Sequence, residues 1–350
     1  MTPSTATPAP LAEVVEYTDP GCIWSWSSEP LLRWLRARYG DQLAWRRVFG
    51  VQVDDLARTH PGRDPVADAE EFRAGWLEVA AHTRAPVTAR LAWMHSSTLP
   101  ASRAAKAAEA QGPLVAEAVL RRLREAVFVG GEPADSDARV AAALRGLARG
   151  SADAGALRSL ARGSADVGAL RGLARGSADA DVALRGIPAL DLDRLLVDAV
   201  SARVAAALEA DWAQTRRPRA EVIGRTGAGP NPGAAKPDGE HLRYGFPTLV
   251  VRGSGGERVL AGWQAPLAHA ALLEEAAPEL VARAQPEPAA VLLERHGSLT
   301  EPELELLTSD GAAGLPADAV RVETATTPLW RSAAEAAAIA AGAARSEAPA

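Results

Sequence analysis

The sequence predicts an α/β fold interrupted by a long helical insertion, and three observations predict it. A β-branched run, Ala12 to Tyr17 (AEVVEY), is followed by a helical stretch and then by alternating residues over Leu43 to Phe49. Strand chemistry returns only at Thr248 to Val251 and Arg258 to Leu260. Between these blocks Ala, Leu, Arg and Glu dominate at helical spacing. The layout is β-α-β, helical insert, β-β-α.

The first run is short, apolar and bounded by a turn signal, Asp19-Pro20-Gly21, so it reads as a buried strand. A helix follows from Ile23 to about Tyr39, with Trp24, Leu31, Leu32, Trp34 and Leu35 as its apolar positions. Pro30 falls inside it, which predicts a kink. Gly40-Asp41 ends that helix. Leu43, Trp45, Arg47 and Phe49 then alternate with Ala44, Arg46 and Val48 as a second strand. From Val53 to about Arg219 the pattern is helical, and residues 227–240 (GAGPNPGAAKPDGE) read as a loop. After the strand at Thr248, a turn at Gly253 to Gly256 leads into the strand at Arg258, and a helix over Pro266 to Ala276 closes the unit.

These boundaries give an α/β domain in two segments, 11–52 and 241–277, around an insertion at 53–240. Residues 285–332 read as a small separate module. Its first helix, Ala289 to Arg295, stops at His296-Gly297, and Thr300 with Glu303 makes a capping-box signature for a second. Val320 to Val322 and Leu329-Trp330 would be the strands of a wing, so the module is winged-helix-like. Residues 1–10 and 333–350 read as flexible tails.

Leu144, Leu157 and Leu170 head three near-copies of ALRGLARGSADAG, 13 residues apart. Thirteen residues turn a helix by roughly 220°, so the leucines of successive copies would face opposite sides. Gly150, Gly163 and Gly176 suit C′ positions and Ser151, Ser164 and Ser177 suit N-caps, giving short helices broken by turns. Ala143-Leu144-Arg145-Gly146 recurs as Ala183-Leu184-Arg185-Gly186, which marks about 147–186 as a loop expansion.

Composition bounds the function. Of the 350 residues 47% are hydrophobic and 23% charged, so a buried core is expected. A net charge of −6 disfavours binding to nucleic acid or to an anionic membrane surface. No apolar run approaches the roughly 20 residues that span a bilayer. Met1 to Pro10 has neither a basic n-region nor an apolar h-region, which makes a cytoplasmic location the expectation. Cys22 is the one cysteine, so no intramolecular disulfide can form and zinc sites needing two thiolates are excluded; no metal is expected.

Two segments carry candidate chemistry. Thr18-Asp19-Pro20-Gly21-Cys22-Ile23-Trp24-Ser25-Trp26 sets a thiol between a strand end and a helix start, where free amides favour the thiolate. Tyr244-Gly245-Phe246-Pro247-Thr248 sets a proline at the opening of a core strand, a position that calls for a special turn, often a cis bond.

Together with Glu29-Pro30, these segments resemble the DsbA-like thioredoxin family, and most closely its branch of FrnE-type oxidoreductases and 2-hydroxychromene-2-carboxylate isomerases. Leu99 to Arg103, Gln111-Gly112, Glu125 to Val129, Gly186 to Pro188, Leu192-Asp193 and Ala210 to Trp212 extend the likeness over about residues 12–275. The resemblance implies a thioredoxin fold with a helical insertion and a site at Cys22 beside Pro247. Family oxidoreductases use CxxC, whereas Cys22-Ile23-Trp24-Ser25 is CxxS, so a resolving cysteine is missing from this chain.

What the resemblance then implies is a monothiol route: Cys22 as nucleophile, Ser25 donating to its thiolate, and an external small thiol, glutathione or mycothiol, as resolver. Trp24, Phe246, Pro247 and Thr248 would shape the substrate groove. Trp26 and His95 are weaker candidates, since a core tryptophan and a surface histidine explain them. Three functions stay open, in this order: a monothiol oxidoreductase, a redox-inactive binding or chaperone-like protein, and a thiol-cofactor-dependent isomerase. For the C-terminal module, Glu287, Glu294, Glu301, Glu303, Glu305, Asp310, Asp318 and Glu323 outnumber Arg295, Arg321 and Arg331. A DNA-reading surface needs the opposite balance, so its expected role is packing or dimerisation, with a homodimer as a further partner.

Overall fold

A computed structural model describes residues 9–145, 190–227, 229–283 and 285–346. The repeat at 147–186 and most of the N-terminal segment 1–10 lie outside the described residues. The chain groups into two compact units, Met1–Gly50 with Glu209–Pro286, and Val51–Leu208 with Glu287–Ala350.

The first unit opens with β1 (Ala12–Thr18), α1 (Ile23–Ser27), α2 (Glu29–Tyr39) and β2 (Leu43–Phe49). The single kinked helix expected over Ile23 to Tyr39 is instead two. Ser28 separates them: its N–H still bonds back to Trp24 and Ser25, while its carbonyl already starts α2 through Leu32. Pro30 therefore sits in the first turn of α2, where a missing N–H breaks no helical bond.

The second unit begins with α3 (Leu56–Thr59), α4 (Ala69–Thr83), α5 (Leu99–Ala108), α6 (Pro113–Phe128), α7 (Asp137–Leu144) and α8 (Leu192–Ala199). The helical pattern expected from Val53 onward breaks between α4 and α5. Arg84 ends α4 in the left-handed region, at φ 58°, and the chain then runs past Pro86 without regular secondary structure. Its amides bond across to the end of α6, Thr88 to Phe128 and Ala92 to Gly131. Helix α9 (Ala202–Thr215) leads back into the first unit.

There the chain forms a hairpin, β3 (Lys236–Asp238) and β4 (His241–Arg243), then β5 (Thr248–Gly253), β6 (Gly256–Ala261) and α10 (Pro266–Ala276). Lys236 to Asp238 were expected as loop; they pair with Arg243 to His241 around a left-handed Gly239, φ 61°. The main sheet has the order β2-β1-β5-β6, with β1 parallel to β2 and antiparallel to β5. Flanked on both edges, β1 is buried almost throughout, as a central strand requires. Val14 packs with Leu32, Leu35, Val251 and Leu273 on one face. Val15 and Tyr17 pack with Val48, Tyr244, Phe246, Val250 and Cys22 on the other. The cysteine is thus the rim of the second core face.

The C-terminal residues belong to the second unit. They run α11 (Ala289–His296), β7 (Ser298–Thr300), α12 (Glu301–Leu307), β8 (Val320–Val322), β9 (Leu329–Arg331) and α13 (Ala333–Ser346), with sheet order β7-β9-β8. Both halves of the Thr300–Glu303 capping box form. The alanine-rich stretch expected as a tail is helical as α13, because Ala is the best helix former. Two contacts tie these residues to the helices: Ala325 N–H donates to Val87 O, and Arg121 on α6 pairs with Glu303 at 3.0 Å.

Candidate functional site

Cys22 ends a tight turn after β1. Gly21 N–H donates to the Asp19 carboxylate at 2.7 Å, and Cys22 N–H to Asp19 O at 3.2 Å. The cysteine is the N-cap of α1, in extended backbone conformation. Its thiol, 6% exposed, points at the β5 entrance and donates to Phe246 O at 3.9 Å. The next peptide bond, Phe246–Pro247, is cis. The two segments singled out in the sequence, 224 positions apart, therefore meet sulfur to carbonyl. Asn231 Nδ2 donates to the same carbonyl at 3.5 Å, and Gly262 N–H holds Pro247 O at 2.9 Å.

Ser25 lies one turn on, fully buried, and its hydroxyl has no hydrogen-bond partner of ordinary geometry. Trp24 is half-buried against the Cys22 face, while Trp26 is core. Phe246 is buried there too. Thr248 uses its hydroxyl within the chain, donating to Gly245 O at 2.6 Å. His95, expected at the surface, is buried in the second unit with its ring edge-on to Phe72 at 5.5 Å.

The expectation of a depressed thiol pKa is corrected. Burial pushes the Cys22 thiol up, and Asp19 adds to the rise. Ser25 and the amides of Ser25 and Trp24 pull the other way without prevailing. The physical reason is that α1 has five residues, too few for a sizeable macrodipole, whereas desolvation acts on the whole thiolate charge.

Two functional neighbours were not found from sequence. Gly50 directly follows β2, where a Cβ would collide with the Phe246 ring. Arg243, at the end of β4, stacks over that ring at 4.6 Å and donates to Tyr244 O at 2.9 Å. A cation four positions before Pro247 was the only signal for it.

A parallel β1–β2 pair, an antiparallel β5–β6 pair and a cis-proline facing the first helix define a thioredoxin-fold domain. The family described as Thioredoxin matches residues 16–146. The chain is 28% identical to the ClpXP adapter protein SpxH of Shouchella clausii over 122 residues, covering 33% of this chain and 38% of that protein. It thus spans under half the length of the curated relative it matches. It is also similar to two solved structures. A probable DsbA oxidoreductase from Streptomyces coelicolor is 17% identical, with 79% of this chain and 94% of that one covered and a TM-score of 0.44. The cytosolic disulfide reductase DsbM from Pseudomonas aeruginosa is 20% identical, with 75% and 93% covered and a TM-score of 0.35. No described helix is long and apolar enough to cross a membrane.

Proposed function

We propose that the protein is a thiol-dependent oxidoreductase that works through Cys22 alone. One observation carries this: the thiol abuts the carbonyl of the cis Phe246–Pro247 bond, with the buried Ser25 hydroxyl beside it. The Cys22 thiolate attacks a disulfide R–S–S–R′, forming Cys22–S–S–R and releasing R′–S⁻. An external small thiol R″–SH, such as glutathione or mycothiol, gives up its proton and attacks the sulfur that carries R. It forms R–S–S–R″ and returns the Cys22 thiolate. Ser25 donates to the sulfur as it ionises, and Trp24, Phe246, Pro247 and Thr248 frame the groove. A chain with one unpaired cysteine suits a reducing cytoplasm. The 285–332 residues are winged-helix-like in the order of their strands, with a packing role on α6.

A second reading, a redox-inactive protein-binding module, is favoured by the raised thiol pKa and by the adapter relative. Intact-mass analysis of protein purified without reductant separates the two. A small-thiol adduct on Cys22 supports the oxidoreductase; an unmodified thiol that stays unmodified with glutathione disulfide supports the binding module.

A further inference from the structure

Resting on Cys22 as the reactive group, we infer that Arg243 makes this a site for anionic substrates: thiols or disulfides that carry a carboxylate near the sulfur. Arg243 and Cys22 converge on one residue, the guanidinium on the Phe246 ring and the thiol on the Phe246 carbonyl. Arg243 is only half-buried, and one contact, Nη1 to Tyr244 O, is the hydrogen bond its guanidinium makes among the described residues.

The carboxylates in its field are held by other donors. Asp19 accepts from Gly21 N–H. Asp238 takes Arg216 Nε at 2.7 Å and Trp212 Nε1 at 3.2 Å. Neither forms an ion pair with Arg243, although both, like Cys22, act on it through space. A guanidinium without a close counter-ion, on an aromatic face and near a thiol set in an apolar cluster, suits a planar carboxylate. Ser25, buried and with no hydrogen-bond partner of ordinary geometry, supplies the donor at the sulfur end. The two donors bracket a ligand with sulfur at one end and negative charge at the other.

The test compares alkylation of Cys22 by iodoacetate and by iodoacetamide, which share the leaving group and differ in charge. Taking the ratio of their rates cancels the thiolate fraction and the burial of the sulfur. Arg243→Gln should lower that ratio roughly three- to tenfold, the range for one unit charge at about 6 Å in a partly aqueous site. Arg243→Lys should keep most of it. In the wild type the ratio should fall as salt rises, a readout that needs no variant should Arg243→Gln fold poorly. Arg283→Gln, which removes an exposed charge paired with Asp41, should leave it unchanged. A ratio insensitive to both Arg243→Gln and salt overturns the inference while the thiol reading survives. No reaction with either reagent overturns both.

Discussion

Gly50 stands so close to Phe246 that a Cβ on it would lie 2.0 Å from the ring Cζ. The glycine is fixed from the other side as well, since its N–H donates to Thr18 O at 3.0 Å. The end of β2 thus sets where the aromatic ring lies, and the ring carries Arg243 and adjoins the carbonyl that holds the thiol. Gly50→Ala should overpack this spot and destabilise the first unit by about 1–3 kcal/mol. Urea denaturation of Gly50→Ala, Phe246→Leu and the double variant checks it. The double variant should recover part of the loss, because the shorter side chain withdraws from the new methyl. Additive effects would show that the two residues do not share the space.

The second unit holds a buried ion cluster on Glu125. Arg121 reaches it at 2.8 Å and Arg331 at 3.2 Å, and the Ser298 hydroxyl donates to it. Arg121 also forks onto both oxygens of Glu303, at 3.0 and 3.1 Å. Glu125→Ala should cost about 3–5 kcal/mol, since it leaves the guanidinium groups buried without their shared counter-charge. Loss of protection across Ser298 to Glu303 in hydrogen exchange would be the local sign. Retained protection would mean that Glu303 alone fastens this part.

Acid should act on the two units in different windows. His269 on α10 is buried, and desolvation pushes its pKa down to about 4 from 6.5. A base with a lowered folded pKa binds fewer protons folded than unfolded, so stability is full above about pH 6.5 and falls as pH drops toward 4. The loss is roughly 3 kcal/mol at 1.36 kcal/mol per unit. His269→Leu should flatten that window. Glu125 shifts in the same direction but in a lower window: its pKa is held far below the carboxylate range, against its own burial, by Arg331, Arg121 and Arg122. Its contribution is intact above the unfolded value of about 4.3 and declines only below it. Denaturation midpoints against pH for the wild type, His269→Leu and Glu125→Gln separate the two. A wild-type midpoint flat from pH 6.5 to 4 would contradict the His269 assignment.

Sequence patterning reached those parts of the fold set by neighbours along the chain. The β1 run, the Thr300–Glu303 cap and α10 depend on local periodicity and capping, and they stand where expected. The β3–β4 hairpin did not show, because three-residue strands containing Pro237 carry no alternation to read. Juxtaposition of Cys22 with Pro247 was legible through the family resemblance, not through spacing. Gly50, Arg243 and the Glu125 cluster were invisible for one reason. Each acts through a partner far along the chain, and a lone glycine or arginine announces none. The thiol pKa was misjudged because the length of α1 and the burial of the sulfur are tertiary facts.

Ser25 offers the sharpest check on the thiol itself. Burial raises the Cys22 pKa and the Ser25 hydroxyl opposes that rise. Folded protein should therefore be alkylated at pH 7 more slowly than the urea-unfolded chain, whose thiol titrates near about 8.5. Ser25→Ala should slow it further, with the pKa moving up by about one unit or less, the worth of one neutral hydrogen bond. Thiolate absorbance followed against pH gives both values directly. Ser25→Cys should convert the site to a dithiol that closes on mild oxidation, because the two positions lie one helical turn apart and already interact. Free-thiol titration of oxidised Ser25→Cys should then read near zero in place of two. A Ser25→Ala variant whose Cys22 titrates as in the wild type would remove the serine hydroxyl from the proposed mechanism and leave the sulfur to the Phe246 carbonyl and the amides of residues 24 and 25.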